Sequence, residues 1–294
     1  MLVGGVTSIV YKLTADVEIS GDIQASAKKY DGFTRWALKA MDDALSDINN
    51  KEKSVLALTT SDIEAAKKED KVAIMLGNEG GKLLEGELSL LRMFYRLGLR
   101  EMQLTWAVPN QICSRRKGEG LSEFGKDVVL EMNRLGMVID ASHIAPMAFT
   151  DLLETSRDPI IISHGKIGKE YSVEQQIAMA EKGGVLGVHF YYTYLSKEGK
   201  EHIDIEDLLD QIDISVQTLG INHVGLGADF FPSDGLWADL QHAQGTFNIE
   251  WAISDVSKIF EVTNGLVRRG YSDYEIEKIL GSNFLGLCKR VFGE

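Results

Sequence analysis

Short runs of unbroken apolar residues alternate along this chain with longer stretches in which apolar positions recur every three or four residues. The first rhythm predicts strands and the second predicts amphipathic helices. The clearest strand is Val72–Leu76, five apolar residues that run into Gly77-Asn78-Glu79-Gly80-Gly81. It shows no polar alternation, so it reads as buried on both faces, with Glu79 left at its C-terminal end. Further strands are expected from Val3 to Leu13, Ser54 to Thr59, Glu101 to Thr105, Met137 to Ala141, Pro159 to Ile162, Val185 to Tyr191 and His223 to Ala228. Between them lie helical patterns: Ile23 to Ile48, one opened by a Ser61-x-x-Glu64 capping box, Leu88 to Leu97, Ser122 to Leu135, a short one beginning at Pro146, Val173 to Lys182 and Ile205 to Leu219. Two more, about Ile249 to Arg269 and Ser272 to Val291, finish the chain.

Strands that alternate with helices throughout are the signature of a parallel sheet wrapped by helices. The number of units predicts an α/β fold of the TIM-type (β/α)8 barrel class rather than an open doubly wound sheet. No GxGxxG follows the first strand, which disfavours a dinucleotide fold. Setting aside the short strand at Ser54, seven barrel strands can be found. The expected barrel therefore lacks or modifies its first strand. No linker or shift in composition divides the chain, so residues 1–294 are expected to form one domain.

Composition narrows the function. Hydrophobic residues at 44% and charged residues at 26% describe a globular protein rather than a disordered one. A formal net charge of −13 argues against nucleic acid or an anionic membrane as partner. Two cysteines, Cys113 and Cys288, provide neither a disulfide framework nor a CxxC metal pattern. No apolar run has transmembrane length, and the first ten residues lack the pattern of a signal peptide, so the expected location is cytoplasmic.

Four polar residues share one kind of address. Glu79, His143, His164 and Asp229 each lie just past the C-terminal end of an expected strand. In a parallel barrel those ends converge on one mouth, and two imidazoles with one or two carboxylates form a plausible site for zinc or a similar divalent ion. His189 lies at another strand end and is expected to pack in the substrate pocket. His202, His223 and His242 sit in polar or turn contexts, and Arg115-Arg116-Lys117 reads as a solvated loop.

Longer motifs add a resemblance. Asn78-Glu79-Gly80-Gly81, Gly120-Leu121-Ser122-Glu123-Phe124-Gly125, the run from Glu131 through Asp140-Ala141-Ser142-His143, Ile161-Ile162-Ser163-His164, the run from Gly220 to Phe230, and Gly281-Ser282-Asn283-Phe284 together resemble the membrane (renal) dipeptidases. The likeness runs from about Val3 to the end. It implies a (β/α)8 barrel with a two-zinc site that hydrolyses small dipeptides through a metal-activated hydroxide, and a homodimer as the assembly. By that resemblance Glu79 is the bridging carboxylate, His143 and His164 are ligands of the second zinc, and Asp229 handles protons. The departures matter equally. The His-x-Asp that the family places on its first strand, as ligands of the first zinc, does not stand before Val3. Trp106 follows Leu104-Thr105 where the family carries a substrate-binding His, and Lys166 or Lys169 is the stand-in for an Arg that grips the substrate carboxylate. The alternatives are a family member that has lost hydrolysis and acts as a binding or assembly protein with at most one metal, an enzyme whose first strand lies upstream of Met1, and a single-metal hydrolase of another amide or lactone.

Overall fold

The structure, a computed structural model, describes residues 5–14, 32–106, 109–114, 118–191, 195, 202–230 and 250–294. The start of the strand expected from Val3, the first turns of the helix expected from Ile23, the basic run at 115–117 and His242 lie outside the described residues.

The strands are β1 (Ser8–Thr14), β2 (Ser54–Leu56), β3 (Val72–Glu79), β4 (Leu99–Gln103), β5 (Val138–Asp140), β6 (Ile161–Gly165), β7 (Val185–His189) and β8 (Val224–Gly227). All pairings between these strands are parallel, in the order β1-β3-β4-β5-β6-β7-β8, with β2 added on β3. β1 runs along residues 73–79 of β3 and fills one edge. The other edge is shared: β2 takes residues 72–74 and β4 takes residues 76–79. This is the expected curled sheet of seven barrel strands, with the Ser54 strand off the main path. Among the described residues β1 and β8 end the path and no pairing joins them. The expectation of a TIM-type sheet with a modified first strand is therefore borne out.

The helices are α1 (Phe33–Asn49), α2 (Thr60–Lys68), α3 (Leu88–Arg96), α4 (Glu123–Leu135), α5 (Pro146–Thr155), α6 (Val173–Glu181), α7 (Ile205–Leu219), α8 (Phe260–Arg268), α9 (Asp273–Glu277) and α10 (Asn283–Phe292). Several boundaries differ from those the sequence predicts, for local reasons. The capping box of α2 is Thr59 with Asp62 rather than Ser61 with Glu64, because the Glu64 carboxylate is drawn to Lys289 Nζ at 2.6 Å. β2 stops at Leu56 because residues 58 and 59 turn their amides onto Asp62. The last two expected helices are both broken. A short 3-10 turn, Val256–Lys258, precedes α8, and non-helical backbone at Gly281 separates α9 from α10. Glycine is a weak helix former, and Asn283 anchors the new start by donating to the carbonyls of Ile221 and Val224.

Parallel register sorts the inward side chains into layers. Val10 and Lys12 of β1 stand beside Met75 and Gly77 of β3. Gly77 and Glu79 stand beside Glu101 and Gln103 of β4, which in turn face Val138 and Asp140 of β5. The lowest layer is apolar: Met75, Val138, Ile161 and Val185 pack with Leu287, Cys288 and Val291 of α10. The C-terminal helix thus plugs the N-terminal end of the barrel. Burial of a side chain the size of Leu287 contributes roughly 1.5–3 kcal/mol. Above this plug the interior turns polar. A Cβ on Gly77 would meet Glu101 Oε2 at 2.1 Å, so the absence of a side chain there makes room for the charged layer.

Candidate metal centre

Each side chain at the mouth is aimed by a specific backbone device. Glu79 is the last residue of β3 and is followed by Gly80 at φ 98 and by Gly81, whose added Cβ would strike Ile112 and the Leu104 carbonyl. Only glycine permits that sharp exit. At the end of β5, Asp140 accepts from the Ser142 amide at 2.9 Å and from Ser142 Oγ at 2.8 Å, closing an Asx turn. The turn leaves His143 in the left-handed region at φ 67, and Asp229 adopts φ 53 just after β8. These are two of the four non-glycine residues with positive φ among the described residues. Such conformations cost energy and concentrate at functional sites.

A third device is a bulge in β6. Ile162 pairs with Leu186 and Gly165 with Val188, so β6 spends one residue more than β7 over this stretch. In a regular strand Ser163 and His164 would point to opposite faces. The extra residue lets both reach the interior, Ser163 toward Asp140 and His164 toward the mouth.

The three predicted ligands come together. His143 Nε2 and His164 Nε2 lie 2.8 Å apart, and Glu79 Oε1 lies 3.6 Å from the first and 3.9 Å from the second. A four-coordinate divalent ion with bonds of about 2.0–2.2 Å sets its donor atoms about 3.3–3.5 Å apart. The three separations bracket that value. The set of two imidazoles and one carboxylate is that of a metal site with one position left for water or substrate. Glu79 and His164 are buried. Burial pushes the His164 imidazole down to about 4, with His143, His189 and Lys12 acting the same way and Asp229 opposing. His164 is therefore neutral near pH 7, the state a ligand needs.

His164, His189 and Asp229 also lie close enough together to resemble a second metal triad. Proton positions argue against one. His189 Nδ1 accepts the Tyr191 amide at 3.0 Å. A neutral imidazole has one N–H, so the proton of His189 is on Nε2, directed at Asp229 Oδ2 at 3.3 Å. His189 is thus a donor to Asp229 rather than a ligand. His164 has only Nε2 to offer, since its Nδ1 is engaged by Ser163 Oγ at 2.8 Å. The described residues therefore form one candidate metal site, with an Asp–His pair beside it.

Of the other predicted site residues, Trp106 lies half-buried just past β4 and Lys166 half-buried just past β6. His189 is buried at the end of β7, as expected, but it faces Asp229. His202 pairs with Glu250 on the surface, and His223 contacts the Gly184 carbonyl, both away from the mouth.

Sequence reasoning missed the layer beneath the metal residues. Lys12 Nζ pairs with Asp140, lies 3.3 Å from Glu101 Oε1, and donates to Gln103 Oε1 at 3.3 Å and to Ser163 Oγ at 2.9 Å. Its signal was the period of two in β1, where Lys12 shares a face with Val10 while Tyr11 is exposed. Burial works to raise the Asp140 carboxyl, but Lys12, His164 and the Ser163 hydrogen bond outweigh it and hold Asp140 well below the usual carboxylate range. Glu101 goes the other way. Burial, and then the charge of Asp140, push it up to about 8 against the pull of Lys12. Glu101 is thus protonated near neutrality in the fold and ionised in the unfolded chain. Stability is then expected to fall as pH rises from about 6.5 to 8, by at most about 1.4 kcal/mol per pH unit, while below about 6.5 His164, neutral in the fold and protonated in the unfolded chain, offsets the slope. Urea unfolding at pH 5.5, 7 and 8 measures this, and Glu101→Gln is expected to flatten the slope.

Comparison with known proteins shows the family and the fold. The family model for membrane dipeptidases, peptidase family M19, matches residues 23–293. An uncharacterized dipeptidase of Schizosaccharomyces pombe is 32% identical over 242 residues, which is 78% of this chain and 55% of that relative. The chain thus spans about half the length of the curated relatives it matches. Among solved structures, an amidohydrolase from Pseudomonas aeruginosa superposes with a TM-score of 0.86 at 22% identity, over 100% of this chain and 91% of the other. A metallopeptidase from Rhodobacter sphaeroides, liganded with a phosphinate mimic of the dipeptide L-Ala-D-Ala, superposes with a TM-score of 0.82 at 21% identity, over 98% and 88%. At these identities the structural likeness carries the fold, while the family match over nearly the whole chain carries the membership: this chain belongs to the membrane dipeptidase family, peptidase family M19.

Proposed function

We propose that this chain is a metal-dependent dipeptidase with one zinc site built from Glu79, His143 and His164. The observation that carries the reading is the convergence of these three donor atoms, at separations that suit one ion, beside a carboxylate free of that set. A small dipeptide is the proposed substrate. The dipeptide mimic held by the Rhodobacter sphaeroides relative supports that class. A divalent ion bound here would supply Lewis acidity, lowering the pKa of a water and polarising the peptide carbonyl.

The chain's own residues do the rest. Asp229, 37% exposed at the mouth, accepts the proton lost by the attacking water. The oxygen–carbon bond forms, the carbon–nitrogen bond breaks, and Asp229 returns the proton to the departing amine. His189 holds the carboxylate in place by donating from Nε2, and the Tyr191 amide fixes the tautomer that allows it. Trp106 and Lys166 are proposed to border the substrate, Lys166 as a point charge for its carboxylate.

A second reading, a binding or assembly protein that retains a metal without hydrolysis, is favoured by Trp106 standing where the family resemblance expects a histidine. Elemental analysis paired with turnover of an Ala-Ala-type dipeptide panel separates the two. Bound zinc with turnover supports the dipeptidase. Bound zinc with no turnover on any member of the panel supports the second reading, and absence of bound metal overturns both.

A further inference from the structure

The residues beneath the metal site have a proton count that bears on one of its ligands. Asp140 is fully buried and accepts from every group around it. Its Oδ1 takes the amides of Ser142 at 2.9 Å and Ser163 at 3.0 Å and the Ser142 hydroxyl at 2.8 Å. Its Oδ2 takes Lys12 Nζ and the Ser163 hydroxyl, the latter at 2.5 Å. Ser163 Oγ has one proton and three neighbours that could receive it: Asp140 Oδ2 at 2.5 Å, His164 Nδ1 at 2.8 Å and Ser142 Oγ at 3.2 Å. The carboxylate is the nearest, and it is the only anion of the three, so it takes the proton. Lys12, an obligate donor, fills one lone pair of Ser163 Oγ at 2.9 Å. The remaining lone pair faces His164 Nδ1.

We propose that Asp140, paired with Lys12 in the barrel interior, is a positioning residue that fixes the tautomer of His164 through Ser163. Because the Ser163 proton is committed to Asp140, His164 must donate from Nδ1, which leaves Nε2 bare and aimed at His143 and Glu79. A ligating imidazole is oriented and made more basic by the partner of its other nitrogen. Here the partner is a hydroxyl rather than a carboxylate, and its direction is set one step further away, by a lysine on the opposite side of the barrel interior. Lys12 and His164 are 152 positions apart, and only the inward register of β1 together with the bulge of β6 brings them into one network. The proposal rests on the metal site proposed above but concerns the protein before the ion is bound.

Two-dimensional 1H–15N spectra of the imidazole rings in metal-free protein test it, with His164 assigned by the signal lost in His164→Gln. The wild-type protein is expected to show His164 protonated on Nδ1 and bare on Nε2. A proton on Nε2 instead would overturn the proposal. Asp140→Asn keeps the shape but turns an amide donor toward Ser163, because the oxygen must stay with the three donors to Oδ1. The Ser163 proton is then redirected to His164 Nδ1, the imidazole proton moves to Nε2, and affinity for Zn2+ in chelator competition is expected to fall about 10–100-fold. A folded Asp140→Asn protein that binds Zn2+ as tightly as wild type would overturn the proposal. Ser163→Ala leaves the Lys12–Asp140 pair intact while removing the link, so it serves if Asp140→Asn does not fold. A mixture of tautomers and about tenfold weaker Zn2+ binding are expected, and unchanged affinity would count against the inference. None of these readouts uses peptide turnover. An inactive protein with the expected tautomer would refute the dipeptidase reading and leave this one standing.

Discussion

Replacing His164 by alanine is expected to abolish stoichiometric metal binding and to lower dipeptide turnover at least about a thousand-fold, some 4 kcal/mol of transition-state stabilisation. His164 is central to the site by geometry. Its Nε2 is 2.8 Å from His143 Nε2 and 3.9 Å from Glu79 Oε1, and its side chain is almost fully buried. Loss of the imidazole leaves one nitrogen and one carboxylate oxygen, too few protein donors for a catalytic zinc site. Elemental analysis of the purified variant, with kcat/KM on the dipeptide that wild type cleaves best, checks both parts. Full metal content in His164→Ala would remove His164 from the ligand set. His223→Ala is the matched control, because His223 contacts the Gly184 carbonyl and should alter neither quantity.

Asp229→Asn is expected to leave metal content intact and to lower kcat by about a hundred- to ten-thousand-fold, the range lost when a positioned general base is removed. The amide cannot take the proton of the attacking water, yet it keeps the shape of the carboxylate. KM should change little, since the loss falls on proton transfer rather than on binding. His189→Gln is the graded companion. It removes the Nε2 donor 3.3 Å from Asp229 without touching the carboxylate, so a smaller loss, about tenfold in kcat, is expected. Steady-state kinetics with metal analysis of the same samples measures all of this. If Asp229→Asn retained wild-type kcat, proton handling would belong to another group. If His189→Gln lost its metal, His189 would be a ligand after all, contrary to the tautomer that the Tyr191 amide imposes.

The placement of the candidate ligands was legible in the sequence because strand ends are. An apolar run closed by glycines, as at Val72–Gly81, specifies both a buried strand and the spot where its first polar residue emerges. Repeating that reading at Ser142-His143, at Ser163-His164 and at Asp229 collected the mouth of the barrel from local pattern alone. What could not be read was where protons and second contacts go. His189 looked like pocket lining because one strand does not reveal the carboxylate on its neighbour. Lys12 drew no notice as a site residue, since the sequence does not state which alternating face of β1 turns inward. The capping box at Ser61 failed for a similar reason: a helix start is a competition among nearby groups, and Glu64 had a better partner in Lys289, 225 residues away.

The sequence by itself determined the alternation of strands and helices, the family, and the identities of Glu79, His143, His164 and Asp229 as groups that meet. The strands, helices and meeting groups follow from short-range rules of burial, turn and period that each segment carries within itself, and the family follows from the resemblance of its longer motifs. The tertiary structure alone decided that Asp229 is partnered by His189. It also decided that the Lys12–Asp140–Ser163 network lies beneath His164. Those outcomes depend on distances of a few ångströms between residues far apart in the chain. Such distances are set by the register of parallel strands and by a one-residue bulge in β6, and no segment encodes either one alone.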